Sequence, residues 1–199
     1  MTKISAIVEG DGEVVALPII LRKIAQWRRH YNHVDIPQPI RVRRDRFLNK
    51  QEEFSRHVGL ASKKCGADGW ILVVLDADDD CPKELGLKTL ARAKLIAPNH
   101  YISVVLIKRE FEAWFIGSAA TLNGHRGLKV SADDLLIDAE IPRDAKGWLG
   151  KRMTSGYGER TDQPAFAARM DLESTFQRCR SFRKLCSEWD KFFPDRSQD

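Results

Sequence analysis

Several familiar sequence signals are missing from this chain, and each absence excludes a class of protein. Its four cysteines form no Cys-x-x-Cys pair and lack zinc spacing, so neither a structural zinc site nor a disulfide framework is expected. No apolar run approaches the ~20 residues that span a bilayer, so no transmembrane helix is expected. The P-loop motif Gly-x-x-x-x-Gly-Lys-Ser/Thr does not occur, so the chain supplies no ATP-binding loop of this type.

Composition favours a globular protein with one core. The chain has 199 residues, of which 43% are apolar, which is enough for a single domain with appendages. A net charge of +5 suits an anionic partner without specifying one. No signal peptide is recognised, so we expect a cytoplasmic protein with reduced thiols and no membrane contact.

Three short runs of β-branched and apolar residues predict buried strands at residues 4–9, 70–76 and 101–107. Helical spacing of apolar residues predicts helices over 13–31, 50–69, 82–98 and 109–122. The stretch 33–47 is predicted to be a loop with a short edge strand. We expect the first two main strands to be adjacent and parallel.

The sequence pattern changes after residue 123. Short helices joined by loops are predicted there, and no strand is predicted. The resulting order of elements predicts an α/β fold, with three layers and a largely parallel central sheet. The predicted organisation is a core over residues 1–122 and a helical extension over 123–199, packed on the same domain.

Carboxylates follow the first two predicted strands. Glu9 ends the first strand, and Asp76 and Asp78 end the second. Ligands of open parallel sheets sit outside the carboxyl ends of the strands, where these three acids would meet. Clustered anions must take up protons or bind a cation, and oxygen ligands favour Mg²⁺ or Mn²⁺.

Other acids near these corners have competing interpretations. Glu13 can favour the dipole of the first helix or reach the same metal, and Glu110 and Glu112 follow the third strand. Structural roles remain open for the acids around them: helix caps for Asp11, Asp79 or Asp80, and salt bridges to Lys108 or Arg109 for Glu110 and Glu112.

Basic residues form two clusters that could hold the phosphates of a nucleic acid. The alternative for both clusters is a solvated charged face. The members singled out are Arg41, Arg43, Arg44 and Arg46 in the first cluster, and Arg180 and Arg183 in the second.

Four segments in order resemble a known family. They are "VEGDGEVVALP", "VVLDADDDCP", "KREFEAWF" and "DQPAFAARMD…SFRKL", spread over residues 4 to about 190. A strand ending in Glu-Gly-x-x-Glu, a helix, and a strand ending in Asp-x-Asp resemble the Toprim domain. More narrowly, the segments resemble the Toprim-like family of unknown function 4276, which is related to the overcoming-lysogenization-defect nucleases.

The resemblance implies a function and roles for individual residues. Toprim domains bind Mg²⁺ and act on nucleic-acid phosphodiesters. By this resemblance Glu9 is a general acid/base, Asp76 and Asp78 bind metal, and Glu13 and Glu112, with Glu110 behind it, are further acids of the nuclease type. It also implies an ATPase encoded alongside as a partner, and a role as effector of a phage-defence system.

Two functions therefore compete. The first is a Mg²⁺- or Mn²⁺-dependent nuclease acting on DNA or RNA. The second is a catalytically inactive Toprim-like subunit that binds a partner or nucleic acid within an ATPase complex. A phosphotransferase of the haloacid dehalogenase type is weaker, because it expects Thr or Val where the chain has Asp80. Formation of a homo-oligomer stays open.

Overall fold

Five parallel strands form the central sheet in a computed structural model that describes residues 2–194. The strands are β1 (Thr2–Val8), β2 (Val34–Asp35), β3 (Ile40–Arg41), β4 (Trp70–Asp76) and β5 (Tyr101–Ile107). The order across the sheet is β2-β1-β4-β5. Strand β3 also pairs with β1, at the end of β1 that follows the part paired with β2.

The three long strands are the three predicted ones. β1 and β4 are adjacent and parallel, with Ile4 opposite Trp70, and β5 follows on the other side of β4. Every residue of β4 is buried, as expected for an apolar strand of a parallel sheet that is covered on both faces.

Helices cover both faces of the sheet. Their bounds are α1 (Asp11–Trp27), α2 (Arg44–Asn49), α3 (Gln51–Cys65), α4 (Pro82–Ile96), α5 (Ala113–Gly117), α6 (Ala119–Leu122), α7 (Ala132–Leu136), α8 (Ala145–Gly150), α9 (Glu159–Arg169), α10 (Leu172–Arg178) and α11 (Arg180–Phe192). A 3₁₀ turn lies at His125–Gly127.

The hydrophobic core is divided by the sheet. Alternate strand residues such as Ile4 and Leu72 pack with α1, α5 and α9–α11 on one face. Their neighbours, such as Ile71 and Val73, pack with α2–α4 on the other face. The molecule is therefore a three-layer α/β fold with a parallel sheet and a helical C-terminal part, as predicted.

Residues from both predicted regions share the first of these cores, which contains Ile4 and Leu17 together with Phe166 and Trp189. The domain bounds themselves stay a prediction, and residues 1 and 195–199 lie outside the described residues. Within 2–194, the helices are all too short or too polar to cross a membrane.

Two local predictions are wrong. The helix predicted over 109–122 is two short helices, because Arg109 takes a left-handed φ of 70° and the chain turns at Ser118. Neither Asp11 nor Asp80 caps a helix, since Gly10 and Cys81 occupy the cap positions without side-chain cap bonds.

Candidate active site

Three corners of the chain meet at the carboxyl edge of the sheet. Glu9 follows β1, Asp76 ends β4, and Glu112 lies beyond β5 at the start of α5. Burial raises the pKa of Asp76 well above its ordinary value, and the nearby charges of Glu13, Glu112 and Glu9 raise it further. These four acids therefore form one electrostatic cluster, as the topology of parallel strands predicts.

A contact between two acids holds the first corner, which connects β1 to α1. The Glu13 Oε2 atom accepts a hydrogen bond of 3.1 Å from the backbone N–H of Glu9. Burial, which this bond partly offsets, raises the pKa of Glu13 to about 7. Burial and the charge of Asp78 raise the pKa of Glu9 as well. The charged forms of both carboxyl groups are thus only partly compensated.

The third corner depends on the C-terminal helical part. Glu112 is completely buried, and its Oε1 atom accepts hydrogen bonds from the Tyr157 hydroxyl at 3.0 Å and from Gln163 Nε2 at 2.8 Å. Burial raises the pKa of Glu112, while nearby Lys146 lowers it. The salt bridge considered between Glu112 and Lys108 or Arg109 is therefore wrong.

Lys146 is a member of this site that the sequence did not predict. Its ammonium lies 3.0 Å from Glu159, and although partial burial opposes the charge, the carboxylates of Glu112, Glu159 and Asp76 raise its pKa. The backbone N–H of Lys146 donates to Glu110 Oε2 at 3.0 Å. Glu110 thus holds the start of α8 and forms no salt bridge to Lys108 or Arg109 within residues 2–194, while its role as a metal ligand stays a prediction.

No local pattern could reveal these contributions. Lys146, Tyr157 and Gln163 are separated along the chain from the acids they contact, and each stands alone among residues with ordinary helical or loop patterns.

The second corner, at the end of β4, is held by an arginine that is largely buried. Arg44 donates to the backbone carbonyl of Asp76 at 2.8 Å, and it also lies 3.4 Å from a carboxylate oxygen of Asp78 and 2.5 Å from one of Asp80. Its side chain is 11% exposed. Arg44 was predicted to bind nucleic acid, but these contacts occupy it within the protein and leave little of it for a phosphate.

Asp78 occupies the rim of the site. Its φ of 50° turns the chain in the left-handed region, and its side chain is 59% exposed. The backbone N–H of Asp78 donates to the carbonyl of Arg109 at 3.3 Å, which ties the second corner to the third. Asp78 is thus presented toward solvent beside the buried acids.

The other predicted arginines lie in different settings. Arg41 donates to the backbone carbonyl of Glu9 at 3.2 Å, so the first basic cluster adjoins the acidic corner. Arg43 and Arg46 are exposed beside it. Arg180 is exposed at the start of α11, and Arg183 donates to two carbonyls at the end of α10.

The acid cluster contains oxygen atoms that suit a divalent cation. One oxygen on each of three acids is buried without a hydrogen-bond partner among residues 2–194, namely Glu9 Oε2, Asp76 Oδ1 and Glu112 Oε2. Buried polar atoms without partners are rare and unfavourable, and hard oxygen atoms are what Mg²⁺ binds. The donor set therefore fits such an ion.

The acids supply suitable oxygen atoms, but their side chains are not yet arranged around one point. In the described part of the chain, no three Asp, Glu, His or Cys side chains converge closely enough to hold a metal ion. Metal binding at this edge would therefore require the acidic side chains to move closer together.

A family model described as "Domain of unknown function (DUF4276)" matches residues 8–189, which include all three corners. No curated protein and no solved structure matches the chain.

Proposed function

The chain belongs to the DUF4276 family, and we propose that it is a Toprim-like, metal-dependent nuclease that hydrolyses nucleic-acid phosphodiesters. Three buried carboxylate oxygens without partners, contributed by three separate corners of the fold, carry this proposal. They suit a ligand from outside the chain, because a buried carboxylate oxygen without a hydrogen-bond donor is unfavourable.

The residues that would hold Mg²⁺ or Mn²⁺ are Glu9, Asp76 and Glu112, with Asp78 and Glu13 completing the set. Such an ion, when bound, activates water and stabilises the leaving oxygen of a phosphodiester. Glu110 is the acid least suited to ligation, since the backbone of α8 occupies one of its oxygens.

The protein's own groups orient the site around that ion. Tyr157 and Gln163 hold the Oε1 atom of Glu112 by hydrogen bonds. The Oε2 atom has no partner within the described residues and is free to bind the ion. Glu9 is only half buried, so an attacking water can reach its carboxylate and give up a proton to it. Arg41 lies against the Glu9 backbone, where it can contact a flanking phosphate.

Lys146 supports a second candidate function. Its ammonium already supplies positive charge to Glu112 and Asp76, so part of the repulsion is relieved without a metal. A Toprim-like subunit that binds nucleic acid or a partner without turnover would need no more than this. The two candidates differ in whether the cluster binds a divalent ion and whether cleavage follows.

The test uses Asp76→Asn, with Asp68→Asn as a matched control at an exposed position. We expect Asp76→Asn to abolish calorimetric Mn²⁺ binding and cleavage of plasmid, single-stranded DNA or RNA. Without metal, its melting temperature should hold or rise, because one like charge is removed. Asp68→Asn should change neither property.

Two results would count against the nuclease. A lower melting temperature of Asp76→Asn in EDTA, together with wild-type Mn²⁺ affinity, would make Asp76 a structural residue and end the metal assignment. Mn²⁺ binding by the wild type without cleavage of any of the three substrates would favour the non-catalytic subunit.

A further inference from the structure

A pocket of about 380 Å³ lies beside the acidic edge, in the layer formed by α2 and α3. Its polar lining comes from Arg41, Arg43, Arg46, Arg56, Glu53 and His57. Four arginines and one glutamate leave three net positive charges when His57 is neutral. The volume lies in the range of about 300–1,000 Å³ that is typical of small-ligand sites.

One carboxylate arranges two of the arginines. Glu53 Oε1 accepts from Arg46 Nη2 at 2.7 Å, and Glu53 Oε2 accepts from Arg56 Nη2 at 2.6 Å. Each guanidinium has five N–H donors, so these contacts leave most donors of both groups free for a ligand. Glu53 therefore orients the pair more than it neutralises them.

Arg43 is the arginine of the pocket that is most available to bind a ligand. It stands exposed just before α2, and it forms no ion pair or side-chain hydrogen bond within residues 2–194. The pocket is thus positive and rich in donors, without internal acids sufficient to balance it.

Arg41 connects the pocket to the candidate active site. That side chain lines the pocket, and it also contacts the Glu9 carbonyl at 3.2 Å and Asp11 at 3.0 Å. A group held in the pocket therefore lies one side chain away from the acidic corner.

We propose that this arginine pocket binds a phosphate monoester, the chemistry of a phosphorylated strand end or a mononucleotide. Guanidinium forks match phosphate oxygens in pairs. A monoester carries about −1.5 to −2 charge and three acceptor oxygens, whereas an internal phosphodiester carries a single charge. The identity of the ligand as a strand end rests on the proposed nuclease function; the preference for a monoester rests on the pocket alone.

Fluorescence anisotropy in EDTA tests the proposal without any turnover. The probes are one single-stranded oligonucleotide in three forms, with a 5′-phosphate, with a 3′-phosphate and with neither. Inorganic phosphate and a mononucleotide serve as competitors. We expect one phosphorylated form to bind about fivefold or more tightly than the unphosphorylated form, and both competitors to remove that difference.

Variants then locate the effect. Arg43→Gln and Arg56→Gln should remove the preference, and each should lower the salt slope of the preferred probe by about 0.7. Arg43→Lys keeps the charge but loses the fork, so it should retain the slope and lose part of the preference. Arg22→Gln is the matched control: it removes one exposed charge from α1, outside the pocket, and should keep the preference. Thermal melts check that each variant is folded.

Equal binding of the three probes would overturn the proposal, as would an equal loss of preference in Arg43→Gln and Arg22→Gln. These outcomes are separate from the fate of the nuclease. A protein that prefers phosphorylated ends but never cleaves would refute only the nuclease, and one that cleaves without that preference would refute only the pocket.

Discussion

At the scale of single residues, the candidate site depends on what surrounds each carboxylate. Glu112 is completely buried, yet only one of its oxygens is hydrogen-bonded. Its donors, Tyr157 and Gln163, come from the C-terminal part of the chain. A hydrogen bond to such a buried acid contributes more than an exposed one, because water cannot readily replace a lost donor there.

Tyr157→Phe tests this contact. The change removes the hydroxyl that donates to Glu112 at 3.0 Å and keeps the ring that stacks near Phe166. We expect the free energy of unfolding, measured by urea denaturation in EDTA, to fall by about 1–3 kcal/mol. Tyr31→Phe, at a side chain that is 88% exposed, is the control and should change it by less than about 0.5 kcal/mol. Equal effects of the two variants would show that the Tyr157 hydroxyl does not stabilise Glu112.

The sequence predicted the acids of this site better than their partners. Glu9 and Asp76 could be placed together because each follows an apolar strand, and parallel strands end at one edge. Lys146 and Gln163 could not be placed there, because they converge on the acids only through tertiary packing. Asp11 shows the opposite failure: its position suggested a helix cap, but ion pairs with Arg41 and Arg160 occupy it instead.

At the scale of elements, the packing of α1 against α9 sets how the first corner is covered. Gly12 is the point of closest approach, since an added Cβ would lie 2.2 Å from Gln163 Oε1 and 2.5 Å from the Glu159 carbonyl. The second glycine of "EGDGE" is thus needed for helix packing, a role distinct from the metal chemistry of its neighbours. Sequence periodicity predicted α1, but it could not predict which helix would cover it.

Gly12→Ala should therefore destabilise the protein although alanine favours helices. We expect a loss of about 1–3 kcal/mol in the free energy of unfolding, because α9 must move to relieve the overlap. Gly59→Ala in α3 is the matched control, since nothing lies within 4 Å of an added Cβ there, and it should stabilise by up to about 1 kcal/mol. Urea denaturation of both variants measures the difference. A gain of stability in Gly12→Ala would contradict the close packing of α1 and α9.

At the scale of the whole molecule, Glu188 ties the C-terminal helix to the edge of the sheet. Its Oε2 atom accepts from the Ser103 hydroxyl of β5 at 2.6 Å, and Oε1 accepts from Lys184 and Lys191. Although burial opposes ionisation, these contacts lower the pKa of Glu188 to about 2. The three-layer arrangement was predictable from strand and helix order, whereas this attachment was not, because its members come from distant elements.

The lowered pKa predicts how stability depends on pH. The folded protein binds the Glu188 proton less tightly than the unfolded chain, so the contribution is complete above about pH 4.5 and lost as pH falls toward 2. The difference in unfolding free energy between wild type and Glu188→Gln should therefore shrink from pH 6 to pH 2.5. Glu52→Gln, at an exposed position of α3, should show no such trend. Urea denaturation across this range measures both, and a constant difference for Glu188→Gln would exclude the linkage.

The shared core on the α1 face of the sheet also has a consequence for synthesis on the ribosome. Ile24 of α1 is completely buried in a cluster that includes Phe166 of α9 and Trp189 of α11. At about 5–20 residues per second, the roughly 140 residues between Ile24 and Phe166 take about 7–28 s to translate. During that interval the strands can cover only part of the apolar side of the first helix, so the part that α9 and α11 cover leaves the nascent chain exposed to aggregation and offers a binding surface to chaperones.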